Sequence, residues 1–262
     1  MTTHSEHARV EPHDVEPVLV DPDPWHRRTV LRQTWAQLAS FHWPYDPDVV
    51  DRWLPDGVSV DTHGGQAWVG LIPFEMQRVQ LGRSPAVPYL GDFIEINVRT
   101  YVVDDLGRRA VWFGSLDVPR SVIVGVARTL FALPYCWSDA THTIAADRHR
   151  YTAHRRWPRA AAGATTDITF TVGDEIPPAD VTDLEHFVSA RWALLTTRRG
   201  RVLYGPVDHP RWPLHRVTDV EIDDALIEAS GLPAPTGEPL GLYSPGVPVR
   251  IGWLERVRTE NS

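Results

Sequence analysis

The clearest periodic signal runs from Phe93 to Tyr101. Phe93, Glu95, Asn97, Arg99 and Tyr101 alternate there with Ile94, Ile96, Val98 and Thr100. Period two predicts a strand with an apolar core face and an opposite face carrying Glu95, Asn97 and Arg99 together. Asp104-Asp105-Leu106-Gly107 then supplies a turn, and residues 110–116 a return strand. An earlier hairpin is expected from residues 58–61 and 67–74 across His63-Gly64-Gly65. Residues 30–43 are apolar-rich without a clean period, so strand and helix stay open there. Further short strands are expected at 138–146, 151–157, 167–172, 191–197 and 201–207, with more strand structure in 240–257.

Helical patterning is sparse. Asp46-Pro47 offers an N-cap followed by proline, and Val49, Val50, Trp53 and Leu54 give one short apolar face. Val122, Val126 and Leu130 recur at helical spacing, which predicts a helix from Pro119 that ends near Leu133, before Pro134. Two more short helices are expected near 181–187 and 223–230, the second closed by Gly231. Many strands, few helices and no βαβ alternation indicate a mainly β (α+β) chain, an antiparallel barrel or cone-like sheet. Residues 1–24 mix His, Glu, Asp and Pro without a hydrophobic period and read as a disordered acidic, proline-rich tail. Residues 25–262 read as a single domain.

Composition narrows the partners. A formal net charge of −8 opposes a nucleic-acid groove, which needs concentrated basic surface. The chain shows no membrane span and no signal region, and with one cysteine, Cys136, it fits a reducing cytoplasm. All 26 basic side chains are arginine. Arginine stays protonated, so a lysine Schiff base is excluded.

Standard catalytic motifs are absent: there is no Walker A loop, G-x-G-x-x-G, G-x-S-x-G or H-E-x-x-H. His142, His149 and His154 lack the spacing of helical ligands and read as surface hairpin histidines. No metal or other cofactor is expected. The eleven tryptophans suit an aromatic ligand pocket. Past the end of the expected central helix, Phe131 to Trp137 brings a phenol (Tyr135), a thiol (Cys136) and an indole (Trp137) together.

At these residues the chain resembles a known family. Residues 68–74 (WVGLIPF), 95–101 (EINVRTY), 131–135 (FALPY) and 243–247 (YSPGV) resemble the uncharacterised YqjF-like family. Phe41-His42-Trp43-Pro44 and residues 209–214 (HPRWPL) match it as well. The resemblance spans about 25–257 and implies an acetoacetate-decarboxylase-like fold, a closed, cone-like antiparallel sheet around a central cavity. It implies no reaction, because the family's activity is not established. Compared with acetoacetate decarboxylase itself, Glu95 matches the active-site strand glutamate. Tyr135 falls where the Schiff-base lysine would stand, and Cys136 falls at that lysine's neighbour. Decarboxylation through an imine is therefore not expected.

Two readings follow. In the first, the protein is an enzyme of lyase, isomerase or hydrolase type acting on a small keto or unsaturated acid. Glu95 would be its acid or base and Tyr135 a hydrogen-bond donor. Arg99, Arg128, Asn97, Trp137 and His42 would contact the substrate. In the second, the same aromatic cavity binds or senses a small molecule without catalysis, and Glu95 and Arg99 form a structural pair. Relatives of the fold oligomerise, which makes a homo-oligomer an expectation in either case. The positions of His42 and His209 relative to the cavity are not set by the sequence.

Overall fold

The computed structural model describes residues 15–82, 92–119 and 132–257. The helix expected from Pro119 to Leu133, and with it Arg128, lies almost wholly outside them. The described strands are β1 (Thr29–Tyr45), β2 (Val58–Val60), β3 (Thr62–His63), β4 (Gln66–Leu81), β5 (Phe93–Asp104), β6 (Arg109–Val118) and β7 (Tyr135–Ala145). They continue as β8 (Arg148–Trp157), β9 (Thr165–Glu175), β10 (Ala193–Arg198), β11 (Arg201–Asp208), β12 (His215–Asp224), β13 (Leu240–Gly252) and β14 (Glu255–Arg256). Short helices at Pro47–Asp51, Asp183–Ser189 and Leu226–Ala229 pack around them.

All the strands belong to one sheet, and it closes on itself twice. Strands β13, β1, β4, β5 and β6 form a shared wall. At one end β6 pairs in parallel with β10, Val111 and Trp112 lying opposite Leu194 and Leu195. Its other end pairs in parallel with β7, Leu116 lying opposite Tyr135. β13 divides in the same way: Leu242 and Tyr243 meet β12, whereas Arg250 and Ile251 meet β11. One circuit therefore runs through β7, β8, β9 and β12, and the other through β10 and β11.

This shared wall explains the ambiguity at 30–43. A strand buried on both faces reads as a continuous apolar run instead of an alternating one. In β1, Phe41 and Trp43 enter a core with Leu71, Ile96, Val98, Tyr151 and Phe170. Each large buried side chain of this kind stabilises the fold by about 1.5–3 kcal/mol. Leu38, Ile72 and Phe74 pack into a separate core, and Leu116, Leu194, Val207 and Val249 into another.

Several expectations change in the structure. β2 pairs with β5, not with β4; the tight turn at Gly64 and Gly65 joins β3 to β4 instead. β12 was not foreseen, because its alternation is masked by charge: Glu221, Asp223 and Asp224 all lie on it. It runs to Asp224, leaving the helix after it only Leu226–Ala229, with the Asp224 carboxylate accepting from the Ile227 N–H at 3.0 Å. Residues 15–24, read as tail, lie against the body. The Glu16 carboxylate accepts from the Arg109 N–H at 2.6 Å, and Asp21 pairs with Arg211 at 2.5 Å. His142 and His149 are not surface histidines. They point inward, His142 Nε2 to His149 Nδ1 at 3.1 Å, with His142 Nδ1 on Glu75 at 2.8 Å. Burial holds both imidazoles below their ordinary pKa, His149 at about 4.

Candidate active site

Glu95, Asn97, Arg99 and Tyr101 stand on one face of β5, as period two requires. In the sheet register Phe74 lies opposite Glu95, Ile72 opposite Asn97, and Gly70 opposite Arg99. Asn97 also faces Leu116 of β6, which in turn faces Tyr135 of β7. That row carries Tyr135 across two strands to the carboxyl of Glu95, which it meets in a hydrogen bond. Cys136, one residue on, turns to the opposite face and directs Sγ to the Pro134 carbonyl at 3.6 Å.

Glu95 is 2% exposed. Burial raises its pKa to about 8; hydrogen bonds from Asn97 and Tyr135 pull against the rise, and the negative charge of Asp117 adds to it. The carboxyl is therefore held largely protonated at neutral pH, with Oε2 buried and unpartnered. Burial and the neighbouring Glu95 push the Tyr135 phenol well above its ordinary range, so it remains a donor.

A second group forms around Tyr101. Its O–H donates to the Val188 carbonyl at 2.7 Å, and Arg99 Nη2 reaches the same carbonyl at 3.1 Å and the phenol oxygen at 3.3 Å. His42 Nε2 lies 2.6 Å from that phenol oxygen. His42, Gly70 and Arg99 form one row across β1, β4 and β5. Burial, with Arg99 beside it, keeps the His42 imidazole well below its ordinary pKa. His209 is also buried, among Trp35, Trp192 and Trp212, with its pKa lowered to about 4, first by desolvation.

The charges do not balance within this group. Asp61 takes both Arg109 at 2.5 Å and Arg191 at 2.8 Å. Arg99, by contrast, has no carboxylate at ion-pair distance among the described residues, and its Nε is buried without a partner. The Glu95–Arg99 structural pair of the second reading is therefore not formed; strand geometry sets them four residues apart along β5, each with other partners. Trp137 follows Tyr135 by two residues on the same strand. It is 39% exposed, opposite Trp157 of β8.

Gly70, Tyr101, Asp61 and Arg191 complete the group, and sequence reasoning did not select them as site residues. Asp61 and Arg191 are 130 positions apart, and no local pattern links them. Among the described residues no group of three or more His, Cys, Asp or Glu side chains is placed to hold a metal ion.

A family model described as an uncharacterized conserved protein, DUF2071, matches residues 32–248. The chain is also 31% identical over 220 residues to the uncharacterized protein YqjF of Bacillus subtilis, covering 82% of this chain and 87% of that one. The chain belongs to the DUF2071 family. Acetoacetate decarboxylase from Legionella pneumophila superposes on this family member with a TM-score of 0.62 at 11% identity, over 100% of both chains. The enduracididine biosynthesis enzyme MppR, solved with pyruvate, superposes at 0.60 and 13% identity over 98% of both. An acetoacetate decarboxylase-like enzyme from Sphingomonas wittichii gives 0.60 at 14%, covering 88% of this chain and 94% of that one. The fold is thus acetoacetate-decarboxylase-like, with the sheet closed as a ring.

Proposed function

We propose that this DUF2071 protein acts on a small keto or unsaturated organic acid by acid/base chemistry that forms no covalent amine adduct. The observation that carries this reading is the shared face of β5. It bears an arginine with no carboxylate partner among the described residues and, two side-chain positions along, a carboxyl held protonated near neutral pH. Arg99 anchors the substrate carboxylate. The neutral Glu95 gives its proton to the reacting carbon or oxygen and takes one back on the return step, a role that contributes about 10²–10⁴-fold to a rate. Tyr135, kept protonated, donates to Glu95 while its carboxylate exists and so eases each cycle. MppR, a fold relative, has been solved with pyruvate, which supports a small carboxylic acid as ligand. The chain contains no lysine, so an imine on a side-chain amine plays no part.

The test compares two variants. Arg99→Gln should lose binding of the acid, whereas Glu95→Gln should bind it and fail to convert it. Full turnover in Glu95→Gln would overturn the assignment.

A further inference from the structure

The protons around Tyr101 can be placed from the heavy atoms alone. Tyr101 Oη and the Val188 carbonyl oxygen lie 2.7 Å apart. A carbonyl cannot donate, so the phenol proton must sit between these two oxygens. The same phenol oxygen is 2.6 Å from His42 Nε2. With its own proton committed, that oxygen can only accept, and Nε2 must carry a hydrogen. Neutral His42 then has its lone pair on Nδ1. Nδ1 is buried and has no hydrogen-bond partner, in a side chain that is 0% exposed.

A buried acceptor left without a partner is rare and costly in a native protein. His42 is also fixed in place. Its ring packs over Gly70, where an added Cβ would meet His42 Cδ2 and Nε2 at 2.8 Å, and its Nε2 is tied to Tyr101. Across the same row stands Arg99, whose Nη2 is tied to the same phenol and whose Nε is also unpartnered. His42 and Arg99 thus share the Tyr101 phenol oxygen as a partner, and each keeps one further buried nitrogen, an acceptor on His42 and a donor on Arg99, without a partner.

We infer that the ligand is a hydroxy acid: its carboxylate lies on Arg99 and its hydroxyl donates to His42 Nδ1. The inference rests on the reading of this site given above and adds to it the hydroxy acid, whose loss of water gives the unsaturated acid named there. Among keto, unsaturated and hydroxy acids, only the hydroxy acid, or a keto acid in its enol form, brings a proton to Nδ1. A site that hydrogen-bonds a substrate hydroxyl rejects the analogue lacking it far more strongly than an apolar pocket does. His42 is thus a specificity-determining residue.

The test is calorimetric binding of lactate, 3-hydroxybutyrate, pyruvate, propionate and butyrate to the full chain, with Arg99→Gln and His42→Phe alongside. Wild type should bind the hydroxy acids at least tenfold more tightly than the matching unsubstituted acids. In His42→Phe the ratio of hydroxy-acid to unsubstituted-acid affinity should fall to about one. Equal affinity for hydroxylated and unsubstituted acids, lost in Arg99→Gln, would overturn the hydroxyl assignment and leave the carboxylate site standing; a resident water on Nδ1 gives this result. Failure of every acid to bind would overturn both. The wild-type ligand series decides the matter even if His42→Phe does not fold.

Discussion

Gly70 lies directly between His42 and Arg99 in the sheet, and a single added methyl on it would sit 2.8 Å from the His42 ring. The glycine therefore sets the depth to which the imidazole can settle against the wall. Gly70→Ala should destabilise the fold by about 1–3 kcal/mol, as overpacking of a closed core does. It should also weaken binding of organic acids at the adjoining arginine. Urea unfolding and calorimetry measure the two effects; unchanged values for both would show that the row is slack.

Glu95 makes stability depend on pH with a definite sign. Its ordinary pKa of 4.5 rises to about 8 on folding. Between these values the folded state holds a proton that the unfolded chain has released, so stability falls as pH rises across that window and levels off above it. Glu95→Gln should flatten the fall between pH 6.5 and 8. Melting curves of the two proteins that run parallel through this range would mean the carboxyl is not held neutral.

The buried histidines act on the acid side. His149 and His209 drop from 6.5 to about 4, each first by burial, and His142 is lowered as well. Here the unfolded chain takes up protons that the folded one refuses, so stability is lost as pH falls from 6.5 toward 4. Replacing His149 with Gln should remove part of this loss, measured as melting temperature at pH 7 and pH 5. An undiminished drop would place the titrating groups elsewhere.

Much of this was legible in the sequence, for physical reasons. The alternation from Phe93 to Tyr101 fixes the face shared by Glu95, Asn97 and Arg99, because a strand with one polar face must alternate. The strand nature of 30–43 was not legible, since β1 is buried on both faces from Leu38 to Trp43 and mostly half-buried before it, so its period disappears. Nor could the Asp61–Arg191 or His42–Tyr101 contacts be read; they join residues 130 and 59 positions apart that only the strand order of the sheet brings together.

Asp117 and Arg155 form a fully buried pair, Arg155 Nε and Nη2 on the two carboxylate oxygens at 2.7 and 2.5 Å, with Ser138 also donating to Asp117 at 2.5 Å. Asp117→Asn leaves a guanidinium buried without its counter-charge and should cost about 3–5 kcal/mol in guanidinium unfolding. The exposed Arg150–Asp167 pair has similar geometry, yet water screens it, so Asp167→Asn should change little. Equal losses at the two sites would contradict the burial argument.

The most direct test is thermal unfolding of wild type and Glu95→Gln against keto, hydroxy and unsaturated carboxylic acids, with consumption of each acid followed in parallel. A ligand at about 100 times its dissociation constant adds about 2.7 kcal/mol to the folded state, a readily visible rise in melting temperature. An acid that stabilises both proteins but is consumed only by wild type is the predicted result. An acid that stabilises both and is consumed by neither, or equally by both, would contradict acid/base catalysis at Glu95.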